Sequence, residues 1–336
     1  MLETSVARLL VVPEGEPLPR DAAARLADGA PYLPYQRWRG FGAAVPRQLL
    51  QWELTHGHTD AGRHWRWLLL EDDAPVGMAW VAEAVWESRQ LGIPVATLRH
   101  LIALGEDARQ RQRRAAELLA LLPPALDGGV ACVSLRADAA DAAVMAALQE
   151  QQWRLADTIV SFVCGREAIT RLTRRVRARC AVRRMMPSDA PHLTRIAAAS
   201  TFGGRLYRDP RFPQVRVEAL YRAWAAECAR GAFADVVVVA ERQGEVVGFL
   251  ASQLQPKLLA AAGIRLAGQG LLAILPGHRG LAMELVRGAV LEGSARADFG
   301  QFDIHLDNLE HLAMYARLRL RIAHVQHVWH RWMDGP

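Results

Sequence analysis

Gly270-Leu271-Leu272-Ala273-Ile274-Leu275-Pro276-Gly277-His278-Arg279-Gly280-Leu281-Ala282-Met283-Glu284-Leu285 decides how this chain is read. Gly270 to Leu275 is an apolar run of strand length. Pro276 to Gly280 breaks it, because proline lacks an N–H and the glycines favour a turn. Beyond the turn, Leu285, Val286, Ala289 and Val290 recur at helical spacing. A helix that opens just after a glycine turn points unpaired backbone N–H groups outward. With the helix dipole they make a site for a phosphate or pyrophosphate. Gly277 and Gly280 let the backbone approach such a ligand, and His278 and Arg279 add donors and positive charge. The next strand, Gln301 to Leu306, leads through Asn308 into a helix over 309–318 that carries Tyr315.

The same pattern occurs earlier in the chain. An offset of 167 residues (308 against 141) sets Asn308 on Asp141, Tyr315 on Leu148 and Leu320 on Trp153. It also sets Arg279-Gly280-Leu281-Ala282-Met283-Glu284-Leu285 on Gln112-Arg113-Arg114-Ala115-Ala116-Glu117-Leu118. Two fused copies of one fold are the simplest reading. At these positions the first copy lacks the polar and glycine members, with Arg113 against Gly280. One working site, in the second half, is therefore expected.

The 336 residues suffice for two domains of ordinary size, and 51% of them are apolar. No apolar run is long enough for a membrane span. Met1-Leu2-Glu3-Thr4-Ser5 shows no basic stretch followed by an apolar core, so the cytoplasm is the expected compartment. Cys132, Cys164, Cys180 and Cys228 lack Cys-x-x-Cys spacing and read as reduced thiols. The net charge of +6 rests almost wholly on arginine, Lys257 being the one lysine. Its densest run, Arg171 to Arg184, falls where the copies join, and without interleaved aromatics it reads as a solvated face. No nucleic-acid partner is expected.

The second copy alternates strands and helices: a strand over 181–186, a helix to about Ala199, a polar loop over 201–211, a helix around Val217 to Trp224, and a hairpin turning at Gln243-Gly244. The first copy keeps this order. Trp38, Trp52, Trp65 and Trp67 read as packing residues. His56, His58 and His64 fit no metal-ligand spacing, so no metal site is expected.

Pro276-x-His278-Arg279-Gly280, followed after one strand by Asn308-x-x-His311-x-x-x-Tyr315, resembles the GNAT superfamily of acyl-CoA-dependent N-acyltransferases. The resemblance implies an α/β fold of two tandem GNAT-like domains, each a mixed, mostly antiparallel twisted sheet flanked by helices. Residues 1–168 would form a degenerate first domain, 169–180 a linker, and 181–336 the catalytic domain. Phe202-x-x-Arg205, Arg208-Asp209-Pro210-x-Phe212, Tyr221-x-x-Trp224, Gly231-x-x-x-Asp235 and Gly244-x-x-x-Gly248-Phe249 look like the dTDP-fucosamine acetyltransferase branch. Departures from the family pattern are Ala282 where its turn has Gly, Glu284 where it has Gly or Ala, and Arg319-Leu320 where it has Gly-Phe.

The resemblance implies acetyl-CoA as cofactor, held by Ile274, Leu275, Gly277, His278, Arg279, Gly280, Leu281, Ala282, Met283, Asn308 and Tyr315. It implies acetylation of a primary amine on a small molecule, with a nucleotide-linked amino sugar in view. Acyl transfer needs an oxyanion donor, for which the backbone N–H groups near Ile274-Leu275 are candidates. It needs an acid for the departing thiolate, which Tyr315 suits, its phenol having an ordinary pKa of about 10. Asn308 would orient the pantetheine arm or the tyrosine. Asp303 and His305, on one face of their strand, are candidate bases. Arg205, Arg208 and Arg211 lie in the loop that shapes the family's acceptor pocket. A homodimer is compatible with this reading. Two other readings stay open: a tandem acyltransferase with an aminoacyl donor, and a module that binds CoA or a partner without turnover.

Overall fold

A computed structural model describes residues 8–38, 40–57, 61–126, 129–165, 168, 180–200, 202–278, 280–293 and 296–333. The chain divides into two compact units, 1–158 with 325–336, and 159–324. The linker expected over 169–180 lies, but for Cys180, outside the described residues, and so do His58 and Arg279.

In the first unit β1 (Arg8–Val12) is followed by α1 (Arg20–Gly29), α2 (Val45–His56), β2 (His64–Glu71), β3 (Ala74–Glu83), α3 (Val85–Leu91), β4 (Val95–Ala103), α4 (Ala108–Ala120), α5 (Leu122–Ala125), β5 (Cys132–Asp138) and α6 (Ala142–Glu150). β6 (Arg154–Gly165) begins here and ends in the second unit. That unit continues with β7 (Ala181–Arg184), α7 (Ala190–Ala199), α8 (Arg205–Arg208), α9 (Gln214–Ala229), β8 (Val236–Arg242), β9 (Glu245–Leu254), α10 (Pro256–Ala262), β10 (Leu266–Ile274), α11 (Ala282–Gly293), β11 (Phe299–His305) and α12 (Leu309–Arg317). β12 (Arg321–Trp332) begins in the second unit and returns to the first.

Each unit is a twisted, mixed sheet flanked by helices. The order is β1-β2-β3-β4-β5-β12 in the first and β6-β11-β10-β9-β8-β7 in the second. Every pairing is antiparallel except β4 with β5 and β10 with β11, which are parallel. The sheets are completed by exchange. β12 pairs with β5 from Gln326↔Asp138 to Trp332↔Cys132, while β6 pairs with β11 from Gly165↔Phe299 to Ile159↔His305.

Burial on both sheet faces explains the apolar run in β2. Trp67 and Leu69 pack with Leu118 of α4 and Leu148 of α6, while Leu68 and Leu70 pack with Leu26 of α1 and Leu54 of α2. In the second unit, Val237, Val239, Phe249, Ala251, Leu271 and Ala273 form one face against Leu193 and Ile196 of α7 and Ala225 of α9. α11 covers the other face, with Gly288 against Val182 and Leu285 against Gly248.

The repeat is present, with one correction. The 167-residue offset relates β5 to β11, α6 to α12 and β6 to β12. It does not relate α4 to α11, whose starts, Ala108 and Ala282, are 174 apart. Arg113 is thus not the counterpart of Gly280; it lies inside α4, exposed and near Glu117 at 3.9 Å. The turn into α4 spans 104–107, against 275–281 for the turn into α11.

Candidate active site

The second unit's site forms where two parallel strands part. β10 and β11 pair only over Leu266↔Phe299, Ala267↔Gly300 and Gly268↔Gln301. β10 runs on to Ile274 and β11 to His305 without further pairing between them. An irregularity between Gln269 and Leu271 bends β10 at the point of separation. Leu275 directs its N–H to Val247 O at 2.9 Å, which corrects its expected role as an oxyanion donor. Donor direction alternates along a strand, so the N–H of Ile274 points to the side from which β11 has departed.

At the end of β10, Gly277 (φ 87°) and Gly280 (φ 94°) adopt left-handed backbone that other residues rarely take. Among the described residues no side chain accepts from the N–H groups of Leu281, Ala282 or Met283, the first-turn donors of α11. Ala282 is buried. Glu284 is also buried and contributes to the electrostatics of Cys180, so it faces β7. His278 Nδ1 and Glu284 Oε2 are buried without a hydrogen-bond partner.

Tyr315 is fully buried, with the rings of Phe302 at 5.1 Å, Phe162 at 5.4 Å and His311 at 6.4 Å. Its hydroxyl donates to Gln269 Oε1 at 3.1 Å. Burial pushes the phenol well above its usual range, and the neighbouring Cys164 thiol adds to the shift. Cys164 itself is pushed up to about 12 by burial. Asn308 caps α12, its Oδ1 accepting from the His311 N–H at 3.3 Å. The same oxygen lies 2.8 Å from His311 Nδ1. Asp141 caps α6 in the same way through the Val144 N–H at 3.2 Å. Asn308→Asp should therefore retain the wild-type melting temperature, while Asn308→Ala loses roughly 0.5–2 kcal/mol of stability in thermal or denaturant melts.

Asp303 and His305 share one face of β11, opposite the buried Phe302 and Ile304. Asp303 Oδ1 accepts from Ser161 Oγ at 2.7 Å and Gln301 Nε2 at 2.8 Å. His305 lies beneath the Gly203-Gly204 loop. A Cβ at Gly204 would stand 2.5 Å from its Cε1, so a side chain there would displace the ring. The loop is fixed at both ends. Ser200 Oγ reaches Ile274 O at 3.4 Å, and Tyr221 OH reaches Gly203 O at 3.3 Å. Phe202 stacks on Tyr221 at 4.3 Å, with Tyr207 at 5.6 Å and Trp224 at 5.9 Å from the Tyr221 ring. Arg205 opens α8, and Arg208 pairs with Asp307 in the turn before Asn308. Arg211 is exposed farther along the loop. The fold thus gathers Asp303, His305, Asn308, Tyr315 and Arg208 around the ends of β10 and β11. Gln269, Ser161 and Ser200 join them, although nothing in their sequence context marks them.

The equivalent place in the first unit is filled. β4 and β5 also part, after Leu98↔Leu135. Arg111 spans the gap, with both Asp141 oxygens at 2.6 and 2.7 Å and Ala103 O at 3.2 Å. The Tyr32 ring covers its guanidinium at 5.6 Å. The start of α4 is capped by a carboxylate, Asp107, which accepts from the Gln110 N–H at 2.7 Å. Removing one partner of a buried ion pair costs roughly 3–5 kcal/mol, so the filling is a fixed part of the fold.

Two of the three histidines of the first copy, His56 and His64, lie among the described residues, and both are engaged. His64 Nδ1 accepts from Trp80 Nε1 at 3.0 Å, and His56 stacks on Trp52 at 5.0 Å. Among the described residues no group of three or more His, Cys, Asp or Glu could hold a metal ion, and no helix is long and apolar enough to cross a membrane. Within the basic run, Arg183 is bound to Asp189 at 2.6 Å and Glu241 at 3.0 Å.

No protein-family model and no curated protein matches the sequence. Solved structures do. A tandem GNAT protein from the clavulanic acid biosynthesis pathway, without acetyl-CoA, is similar at a TM-score of 0.55 and 14% identity over 98% of this chain and 99% of that one. A GCN5-related N-acetyltransferase from Sphaerobacter thermophilus gives a TM-score of 0.55 at 13% identity, over 97% and 96% of the two chains. A GCN5-related glucosamine N-acetyltransferase region of a fungal multi-domain GH3 β-N-acetylglucosaminidase gives 0.59 at 11% identity, over 98% of this chain and 38% of that one. These likenesses establish the fold, which is that of tandem GNAT proteins.

Proposed function

We propose that the chain is an acetyl-CoA-dependent N-acetyltransferase with one working site, in the second unit. Its acceptor would be the primary amine of a small molecule, a nucleotide-linked amino sugar being the form that fits best. The observation that carries this reading is the contrast between two like places in the repeat. In the second unit the parted strands meet a helix start where, among the described residues, no side chain accepts from the first-turn N–H groups. In the first unit the gap holds Arg111 and Asp141, and the helix start holds Asp107.

The residues present suit acetyl-CoA. Gly277 and Gly280 carry no Cβ to crowd a pyrophosphate, and among the described residues no side chain accepts from the first-turn N–H groups of α11. The buried Nδ1 of His278 lacks a partner beside that turn. The two departures from the family turn, Ala282 and Glu284, are both buried. Acetyl-CoA would supply the acyl group as a thioester. The N–H of Ile274 would stabilise negative charge on the acyl oxygen. Tyr315 would give its proton to the thiolate. His305 or Asp303 would take the amine proton, directly or through water. The Phe202–Tyr221 stack, beside His305, offers an apolar wall for a sugar or base. Arg205, at the start of α8, would help to bind its phosphates.

The test is calorimetry with acetyl-CoA, then a panel of amines read by release of free thiol. One site per chain is expected, lost in Gly280→Glu and kept in Arg113→Glu. Two equivalent sites would overturn the assignment to one unit. A second reading, CoA binding without turnover, is favoured by the full burial of Tyr315. It predicts the same single site and no thiol release with any amine.

A further inference from the structure

We propose that Gln269 is a positioning residue whose side-chain amide holds the Tyr315 hydroxyl where β10 and β11 part, and turns over to donate to that oxygen as the proton leaves. This rests on the reading of Tyr315 as the proton donor.

Gln269 stands at a defined place. It is the residue next to the three paired positions of β10 and β11, and it precedes the irregularity in β10. That irregularity reverses the facing of the strand. Leu271, which would share a face with Gln269 in a regular strand, packs instead in the cluster of α7 and α9. Gln269 is thereby turned toward α12, where its Oε1 meets Tyr315. The Tyr315 ring cannot shift to seek another partner, being enclosed by Phe162, Phe302 and His311. Among the described residues Gln269 is the one partner of this hydroxyl, and the Gln269 Nε2 has none.

A carboxamide carries an acceptor and a donor at two ends of the same shape. With Oε1 toward the phenol, the amide accepts the hydroxyl proton and holds it inside the fold. With Nε2 toward the phenol, the amide donates to the oxygen, and the proton is free to leave. The transfer then balances. The amine nitrogen would bond to the acyl carbon and give its proton to His305 or Asp303, the C–S bond would break, and the departing sulfur would take the Tyr315 proton to form S–H. The resulting phenolate is stabilised by the Gln269 N–H, a charge-assisted bond stronger than its neutral counterpart. Solvent returns the proton to Tyr315 after the amine proton has been released. Leucine at 269 could hold the ring but not the charge. An ionised glutamate could only accept, and would keep the proton on the phenol.

Gln269→Glu tests this directly, with Gln269→Met as a near-isostere. Thiol release from acetyl-CoA, with whichever amine of the panel turns over fastest, is compared with wild type at each pH. For Gln269→Glu, kcat should fall roughly 10²-fold at neutral pH, the usual effect of one lost donor. The ratio to wild type should recover as pH falls and the new carboxyl gains a proton to donate. Gln269→Met should lose kcat to a similar extent at every pH, and KM for acetyl-CoA should be unchanged in both. In a Tyr315→Phe background, neither substitution should lower kcat further. Wild-type kcat in Gln269→Glu, or a deficit that ignores pH, overturns the role of Gln269. Wild-type kcat in Tyr315→Phe alone overturns the underlying reading instead.

Discussion

Tyr315→Phe should lower kcat by roughly 10²–10⁴-fold, the usual contribution of a positioned general acid. The affinity for acetyl-CoA should barely change, because a lost neutral hydrogen bond costs only about 0.5–1.5 kcal/mol. A transition-state role and a binding role therefore separate cleanly in kcat and in calorimetry. The ring survives the substitution, so its packing against Phe162 and Phe302 is kept. Sequence alone gives the phenol its ordinary pKa and predicts activity falling at high pH as it ionises. Burial reverses that expectation. The folded phenol holds its proton well above the usual range, so an alkaline fall in kcat near pH 10 should not come from Tyr315. A kcat unaffected by Tyr315→Phe would make Tyr315 a packing residue.

Deleting residues 325–336 should unfold the first unit. β12 covers β5 from Asp138 to Cys132, and Val328, Trp329 and His330 are buried there. Loss of one buried tryptophan side chain costs roughly 3–5 kcal/mol, against a total domain stability of about 5–15 kcal/mol. The deletion also bares the edge of β5, so aggregation should accompany the loss of structure. Far-UV circular dichroism and sedimentation would report both. A shortened chain that melts cooperatively at the wild-type temperature would refute the claim.

Much of this was legible in the sequence where local chemistry sets structure. Asn308 and Asp141 stand at helix starts because short polar side chains cap them, and both keep that role. Leu148 and Tyr315 match because each is the buried member of the same helix face. The match of Arg113 with Gly280 failed for an identifiable reason. The true offset of α4 and α11 exceeds the assumed one by seven residues, close to two helical turns. An apolar stripe looks nearly the same after that slide. Gln269 was invisible because its partner depends on a strand irregularity that reverses its facing. The alternation in β12 announces a strand but says nothing of which sheet receives it.

The exchange of β6 and β12 also orders events in time. The first unit lacks its last strand until residue 325 and beyond have been made, 167 residues after Thr158. At roughly 5–20 residues per second, translation would leave that sheet incomplete for about 10–30 s. The amino-terminal half therefore cannot fold as a finished domain while its partner is still being synthesised. A ribosome that stops early would release an open β5 edge, and chaperones or proteases would meet it before the second unit's site was complete.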